Sequence, residues 1–584
     1  MIPRTISKIF FLILSATFIY SQNITSVGIT GASAFSEEDY SDWSGIAAGI
    51  KIFTGLKDSV SLNISKQLTN LGYFNNEVAV SIRNPDSSSA EIEIKITEGK
   101  PARINKINPV CGDSSFCSSI SPYFDDLDEK NYNTYAIENA ISSALDFSEE
   151  NGFPFVSAKI SSVYIFNDSL DNPLADVSVN FQTGDTCRIN KIEIDGNEKT
   201  KSYVIIRQTR IEKDELYRQS KIDNIPVLLN KLAFFQSVQA PQFYFNSKRE
   251  GILKITLKEK STNTFDGIIG YTPGDEEEKG YFTGFVNINL RNLFGTGRAF
   301  GIKWEQIDRS SQNLELHYLE PWVLNLPLNL QFGLTQRKQD STYVKRKISG
   351  QAEYLATENF SASLLFSTGE TIPTVLNQQR FTVYKSDNIE TGVNLKYDTR
   401  DDILSPREGF LFQNTYTYSR KRITGPEEYI KDLDEKNIKL QRIELDIFYF
   451  LQLFRNQVIA LKLQGRELSG SSFEISDLYL LGGTNSLRGY REDQFAGNRI
   501  IWENLEYRLL LGGKSYAFTF FDAGYYLRNA DEKSGITKNE SVKTGYGAGI
   551  NVETGLGVIS VSYALGEGDS FSNGKIHFGL VNEF

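Results

Sequence analysis

LGGTNSLRGYR, residues 481–491, is the stretch that decides how the rest of the chain reads. Three glycines surround one arginine, and an aromatic ring follows it. Glycine accepts unusual dihedrals and close backbone approach, so the run folds into a compact loop. Arg488 offers a planar fork of donors suited to a facing carboxylate. A candidate partner stands downstream in a strand-like segment over 516–527, where FFDAG places Asp522 among aromatics. Taken alone, the run reads equally well as a glycine-rich surface turn. Its neighbours have to decide.

The chain is 584 residues long, too many for one compact domain. Its formal net charge of −11 argues against a nucleic-acid-binding surface. Tyr (29), Phe (39) and Gly (45) are abundant, whereas Met (1) and His (2) are almost absent, which suits a β protein with one apolar face. Two histidines and three cysteines leave little material for a zinc site, and neither a metal nor a cofactor is expected. Residues 1–21 read as a secretory signal peptide: Arg4 and Lys8, then an apolar run, then Ser21. No later apolar run approaches the roughly 20 residues of a spanning helix. An exported chain of this kind is either soluble outside the cytoplasm or a transmembrane barrel. Cys111 and Cys117 are either a small disulfide loop or free thiols, with Cys187 left over.

From about residue 24 to 260 a pattern recurs with a period of roughly 75 to 85 residues, longer than solenoid repeats. The third copy (185–260) opens with INKIEIDGN, in which Ile192 and Ile194 alternate with Glu193 as in a half-buried strand. Two helical stretches follow, the second running through Leu228, Leu229 and Leu232. Strands over 238–246 and 252–258 close the unit. The first copy (22–99) ends in AEIEIKITEG, with Ile92, Ile94 and Ile96 on one face. The second (100–184) opens with ARINKINPV, carries a helix over 137–150, turns at Asn151-Gly152 and ends in ADVSVNF. The order β-α-α-β-β, the IxIxGN opening and the GYF or AFF turn resemble POTRA domains (polypeptide-transport-associated modules). The resemblance is strongest in the third unit and weakest in the second. An exposed edge strand on such a module accepts an extended peptide by β-augmentation.

From 261 to 584, short strands alternate in hydropathy between glycine-rich, asparagine-rich and charged turns. In GYFTGFVNINL, Phe282, Val286, Ile288 and Leu290 share one face and Thr283, Asn287 and Asn289 the other. In VIALKLQ, Ile459, Leu461 and Leu463 oppose Lys462 and Gln464. Apolar outside and polar inside is the pattern of an outer-membrane barrel, and the stretch accommodates about 16 tilted strands. Closure satisfies backbone groups that lipid cannot. The final KIHFGLVNEF is one more alternating strand, with Ile576, Phe578, Leu580 and Phe584 on one face. It looks like the C-terminal signal, carried by Phe578, Leu580 and Phe584, through which outer-membrane barrels are recognised for insertion.

Together these features resemble the outer-membrane assembly and translocation superfamily of BamA and TamA, closest in layout to TamA. NLFGTGRAF (292–300), HYLEPWVLNLPLNL (317–330) and YDTRDDILSPREGFLF (397–412) match its barrel motifs, and GGTNSLRGY its inward-folded loop. The motif's usual valine is Leu487 here; Gly489 is kept, and its aromatic is Tyr490. The resemblance implies α+β periplasmic modules followed by an all-β barrel of about 16 antiparallel strands over 261–584, set in a bacterial outer membrane. It also implies that Arg488 pairs with Asp522 in the lumen, with Glu506 of the NLEYR segment a second acceptor or a lumen-facing neighbour.

No enzymatic residues are expected. GGKS (512–515) lacks the earlier glycine of a P-loop, and GYGAG (545–549) has the wrong spacing for a dinucleotide fingerprint. The implied function is assembly or insertion of outer-membrane or secreted proteins without nucleotide, at the seam between first and last strands. Its implied partners are unfolded client proteins, outer-membrane lipid and a TamB-like periplasmic protein. The alternatives are a two-partner secretion translocator for one dedicated protein and a passive porin or receptor. The first usually carries two POTRA units, a plug helix and a proline-rich linker, which are not evident here; the second has no evident need for the LRGY and FFDAG pairing.

Overall fold

The computed structural model describes residues 22–85, 89–273, 280–306, 311–339, 342–374, 383–403, 405–431, 433, 435–530, 537–554 and 557–581. The expected signal peptide, 1–21, lies outside them. The chain divides into two compact units, 1–188 with 215–220 and 189–214 with 221–584.

The first unit holds two modules of one topology. In each, the first strand runs parallel to the last, which is central, and the second strand pairs antiparallel on its other side. The orders are Asn23–Thr30, Ser89–Thr97, Glu77–Arg83 and Arg103–Val110, Pro173–Gln182, Ser157–Asn167. Helices Glu37–Ser44 and Leu56–Asn70 cover the first sheet, where Ile92, Ile94 and Ile96 are buried against Val60, Ile64 and Leu68. The helix expected over 137–150 starts at Thr134, where Asn133 accepts the freed Tyr135 and Ala136 N–H groups. A shorter helix, Ser114–Ile120, precedes it, and Cys111 and Cys117 close a disulfide there. Cys187 is free and buried.

In the second unit, Lys191–Asp195 runs parallel to the central strand Gly251–Glu259, as in the other modules. Its antiparallel neighbour is not the continuous strand expected over 238–246. It is split into Phe235–Val238 and Gln242–Phe245, because Pro241 has no N–H to donate. The second helix ends at Asn230, short of Leu232, and Ala233 turns left-handed (φ 56°).

The first and third modules share one closing device. Gly31 (φ 84°) and Gly196 (φ 92°) follow the first strand so tightly that a Cβ would lie 2.2 Å from Ile96 O and 2.0 Å from Leu257 O. Two residues beyond each carbonyl stands a glutamate that binds the turn. Glu98 accepts the Ser33 and Ala34 N–H groups at 2.8 and 2.9 Å and the Ser33 and Tyr40 hydroxyls. Glu259 accepts the Lys199 and Thr200 N–H groups at 2.9 and 2.7 Å.

The rest of the second unit is a 16-stranded antiparallel sheet in chain order, from Asn263–Thr272 to Lys575–Val581. Those two end strands are not paired with each other among the described residues. Alternation is clean: in Arg499–Gly512, Trp502, Asn504, Glu506 and Arg508 are buried while Ile501, Leu505, Tyr507 and Leu509 are exposed. Ile576 and Phe578 are exposed on the last strand. The Leu580 side chain and all of Phe584 lie outside the described residues. GGKS is the tight turn joining Arg499–Gly512 to Ser515–Arg528. The third module docks on the turn between the second and third barrel strands, Tyr281–Leu293 and Arg298–Gln306: Lys201 N–H donates to Gly295 O at 2.9 Å, and Asn292 Nδ2 to Thr200 Oγ1 at 2.8 Å.

Burial opposes the Glu98 charge, yet hydrogen bonds from Ser33, Tyr40 and Ala34 outweigh it and hold the carboxyl at about 2. A depressed value means stabilisation that is full above the ordinary carboxylate range and lost as pH falls towards about 2. Glu98→Gln is expected to weaken the first module by about 1.5–3 kcal/mol at neutral pH. Hydrogen exchange over 24–34 in the full chain checks it: faster in the variant at pH 7, converging with wild type near pH 2.

Candidate functional site: a loop locked into the barrel lumen

Between Gln457–Gly470 and Arg499–Gly512 the chain leaves the wall. It forms a short hairpin, Tyr479–Leu481 against Phe495–Gly497, whose connection is the glycine-rich run. Gly482 (φ 120°) and Gly483 (φ 101°) supply the turn. Leu487 is fully buried with Leu481, Ile500, Trp502 and Tyr526, and its methyls fill the space a Cβ on Gly524 would take.

Arg488 then meets the wall through its entire fork. Its Nε and Nη2 donate to Asp522 Oδ2 and Oδ1 at 2.8 and 2.7 Å, and its main-chain N–H to Oδ2 at 3.0 Å. Nη1 donates to Glu506 Oε1 at 2.8 Å. Glu506 is therefore a direct acceptor; its other oxygen takes two bonds from Arg508, at 2.9 and 2.7 Å. The Arg488 guanidinium carbon lies 3.6 Å from the Phe520 ring centroid, and Arg508 sits 4.6 Å over Tyr516. All four charged groups are buried: two arginines against two carboxylates, stacked on aromatic faces that favour cations.

Room for this cluster comes from the next strand. Phe518, Phe520 and Asp522 stand opposite Gly549, Gly547 and Gly545 in turn. A Cβ on Gly545 would lie 1.9 Å from Arg488 O, one on Gly547 2.9 Å from Phe520 and one on Gly549 2.6 Å from Phe518. GYGAG is thus the floor of the site. Gly489 (φ 93°) lies against the Leu565–Gly566 backbone, and its N–H donates to His577 Nε2 at 2.9 Å, so that nitrogen carries no proton. Tyr490 donates to Thr544 O and accepts the Glu567 N–H, both at 3.0 Å.

The structure thus brings Leu487, Arg488, Gly489, Tyr490, Asp522 and Glu506 into one site. Sequence reasoning missed Arg508, His577, the aromatic ladder and the glycine floor. One of only two histidines, opposite in parity to Ile576 and Phe578, was the available signal. It also missed a second ionic node at the loop's other end. Lys421 Nζ lies 2.6 Å from Asp477 Oδ2 and 3.2 Å from Glu474 Oε2, Lys345 Nζ donates to Ser476 O at 3.2 Å, and Arg442 Nη2 donates to Asp477 O at 3.2 Å.

Comparison with known proteins follows the same architecture. The Omp85 superfamily domain matches residues 292–584, and the POTRA repeat (surface antigen variable number repeat) matches 22–99 and 187–260. The chain belongs to the Omp85 superfamily. It is a bacterial outer-membrane protein whose barrel follows periplasmic POTRA modules. The outer membrane protein assembly factor BamA of Nitratidesulfovibrio vulgaris is 22% identical over 465 residues, covering 71% of this chain and 54% of that protein. BamA of Neorickettsia risticii is 30% identical over 124 residues, covering 21% and 16%. This Omp85 chain therefore spans about half the length of the first of these relatives, and its matches to the others are shorter. Among solved structures, BamA from Haemophilus ducreyi lacking POTRA domains 1–3 is similar at 16% identity and a TM-score of 0.44, covering 82% of this chain and 98% of that one. CdiB from Acinetobacter baumannii is similar at 14% identity and a TM-score of 0.45, covering 82% and 90%.

Arg488→Ala leaves Asp522 and Glu506 short of a buried counter-charge and is expected to cost about 3–5 kcal/mol. The readout is the temperature at which the purified barrel loses its compact electrophoretic mobility. Gly545→Val, which removes no charge, is expected to lower it as well by pushing Arg488 off Asp522. Lys421→Met is expected to speed hydrogen exchange over 473–479 while leaving 486–490 protected. Equal loosening of both stretches would mean that the two nodes are one.

Proposed function

We propose that this Omp85 protein assembles or inserts other outer-membrane proteins, as the name of its BamA relatives suggests. Client chains are unfolded outer-membrane or secreted proteins. They are held in extended form along exposed edges of the POTRA modules and passed to the seam between Asn263–Thr272 and Lys575–Val581. The observation that carries the reading is the attachment of the last strand to the loop through Gly489 and His577. A passive pore has no use for a lumen-filling loop fastened to its own terminal strand. No catalytic residue or cofactor is assigned a role. Strand pairing at the seam and local deformation of outer-membrane lipid supply the driving force. A TamB-like periplasmic partner belongs to this reading as an expectation. The second reading, a translocator for one dedicated secreted protein, uses the same barrel with the lumen as the path.

Depletion followed by quantitative proteomics of outer membrane and medium separates the readings. Assembly predicts that several unrelated barrels decline together. Loss of one secreted protein with the barrels intact would instead support the translocator. A disulfide engineered between the two seam strands is expected to abolish assembly under oxidising conditions and restore it on reduction. Undiminished activity of the locked protein would refute the seam.

A further inference from the structure

At the end of the barrel from which the third module enters, the lumen holds a cavity of about 550 Å³. Its walls are lumen-facing residues of the strands between Gln312–Glu320 and Lys385–Asp398, and its cover is the two helices of the third module, Ser202–Thr209 and Gln219–Asn230. Three cations from that cover line it: Arg207, Arg210 and Lys231. Arg207 stands in the last turn of the first helix, and Arg210 is the left-handed residue (φ 54°) that ends it.

Among the described residues none of the three has a carboxylate as a hydrogen-bond acceptor. Arg207 Nη2 donates to Thr296 O and Arg210 Nη2 to Leu355 O, both at 3.0 Å. Lys231 Nζ donates to Asn359 Oδ1 at 3.1 Å and Asp398 O at 3.0 Å. The four acids that line the cavity hold other hydrogen-bond partners: Glu353 accepts the Asn329 amide and the Ser361 hydroxyl at 3.0 and 2.8 Å, and Glu390 pairs with Lys347. The Asp398 carboxylate takes both Arg400 bonds, at 2.9 and 2.8 Å, and the exposed Glu358 takes the Asn224 amide. With Arg291, Lys347 and Lys396 the lining carries six cations against four carboxylates, and the two helix C-termini return about half a charge each. Burial dominates at all three groups and lowers their affinity for the proton, the signature of cations desolvated without full compensation. Beside them Leu228, Leu232, Phe234 and Trp322 give the same cavity an apolar lining.

We infer that this cavity is a binding site for a phosphate-bearing anion, whose oxygens take the remaining donors of Arg207, Arg210 and Lys231. Arginine forks pair with phosphate oxygens two at a time, and lysine adds a point charge. The volume is that of a small-molecule pocket, and its lining combines charged groups with an apolar side. A lipid headgroup and free phosphate share this chemistry. The apolar lining adds affinity only for the first.

The test is a calorimetric titration of the full-length protein in a neutral detergent with three probes: dihexanoyl phosphatidic acid, inorganic phosphate and uncharged dihexanoylglycerol. Saturable binding of phosphatidic acid, weakened about tenfold by Arg210→Gln and by Lys231→Gln, is expected. If phosphatidic acid binds more tightly than phosphate, the site takes a lipid headgroup. If phosphate binds as tightly, with the same dependence on both residues, the site takes the free anion. The inference is overturned if neither phosphate probe saturates the wild-type protein, if dihexanoylglycerol binds equally well, or if both variants keep compact electrophoretic mobility and bind as wild type does. The wild-type titration stands whether or not a variant folds.

Discussion

A guanidinium taken out of water has to find its compensation in full, and that requirement organises the barrel half of this protein. Desolvating a charge costs several kcal/mol, which only good geometry and complete hydrogen bonding return. Arg488 meets the condition with two oxygens of Asp522, one of Glu506 and the face of Phe520. None of these groups belongs to the loop. The loop is therefore bound in one register: sliding it by a residue separates Arg488 from every acceptor at once. Such a pair adds little net stability compared with an apolar filling, but it discriminates sharply among loop positions. A mobile-looking, glycine-rich connection becomes a fixed strut by this means.

Glycine serves that constraint as omitted volume. The strand Asn539–Thr554 gives up side chains at Gly545, Gly547 and Gly549, where its neighbour carries Asp522, Phe520 and Phe518. The Arg488 carbonyl takes the space of the missing Cβ at Gly545, and at Gly547 and Gly549 the Phe520 and Phe518 rings share it with the Tyr563 and Val561 carbonyls of the next strand. The same economy closes the modules, where Gly31 and Gly196 let a turn pass over the central strand and a glutamate fastens it. That the first and third modules repeat both glycine and glutamate at matching places argues for one structural unit used repeatedly. The middle module shares the strand pairing and disulfide-closes its first helix instead.

How much of this was legible in the sequence depended on whether the signal was periodic. Alternation gave the barrel strands, since period two survives any choice of loop, and Ile92, Ile94 and Ile96 marked the first module's central strand for the same reason. The Arg488–Asp522 pairing came through resemblance, not spacing: 34 residues separate the two, and nothing local links them. Arg508 was invisible because an inward polar residue on a barrel strand looks like any other lumen residue until its partner is placed, and His577 offered only its rarity and its parity. The spacing of GYGAG says only that it differs from a dinucleotide fingerprint; its purpose rests on what lies across the sheet. The broken edge strand of the third module was missed although Pro241 announced it. The hydrophobic alternation on either side masked a one-residue loss of hydrogen bonding.

The two ionic nodes give the loop a mechanical meaning that neither has alone. Near Asp477 it is tied to the wall sector of Lys345, Lys421 and Arg442; near Arg488 it is tied to the adjoining strands that carry Glu506 and Asp522. One residue further, Gly489 and Tyr490 reach the last three strands, through His577, Thr544 and Glu567. A movement of the last strand relative to Asp522 would therefore load the junction of Arg488 and Gly489. This is where the chain places a residue with a free left-handed conformation and no side chain. A loop that only filled the lumen would need neither the hinge nor the histidine. On the proposed assembly reading the strut holds the barrel while its last strands work, and the buried charge fixes the end that stays still.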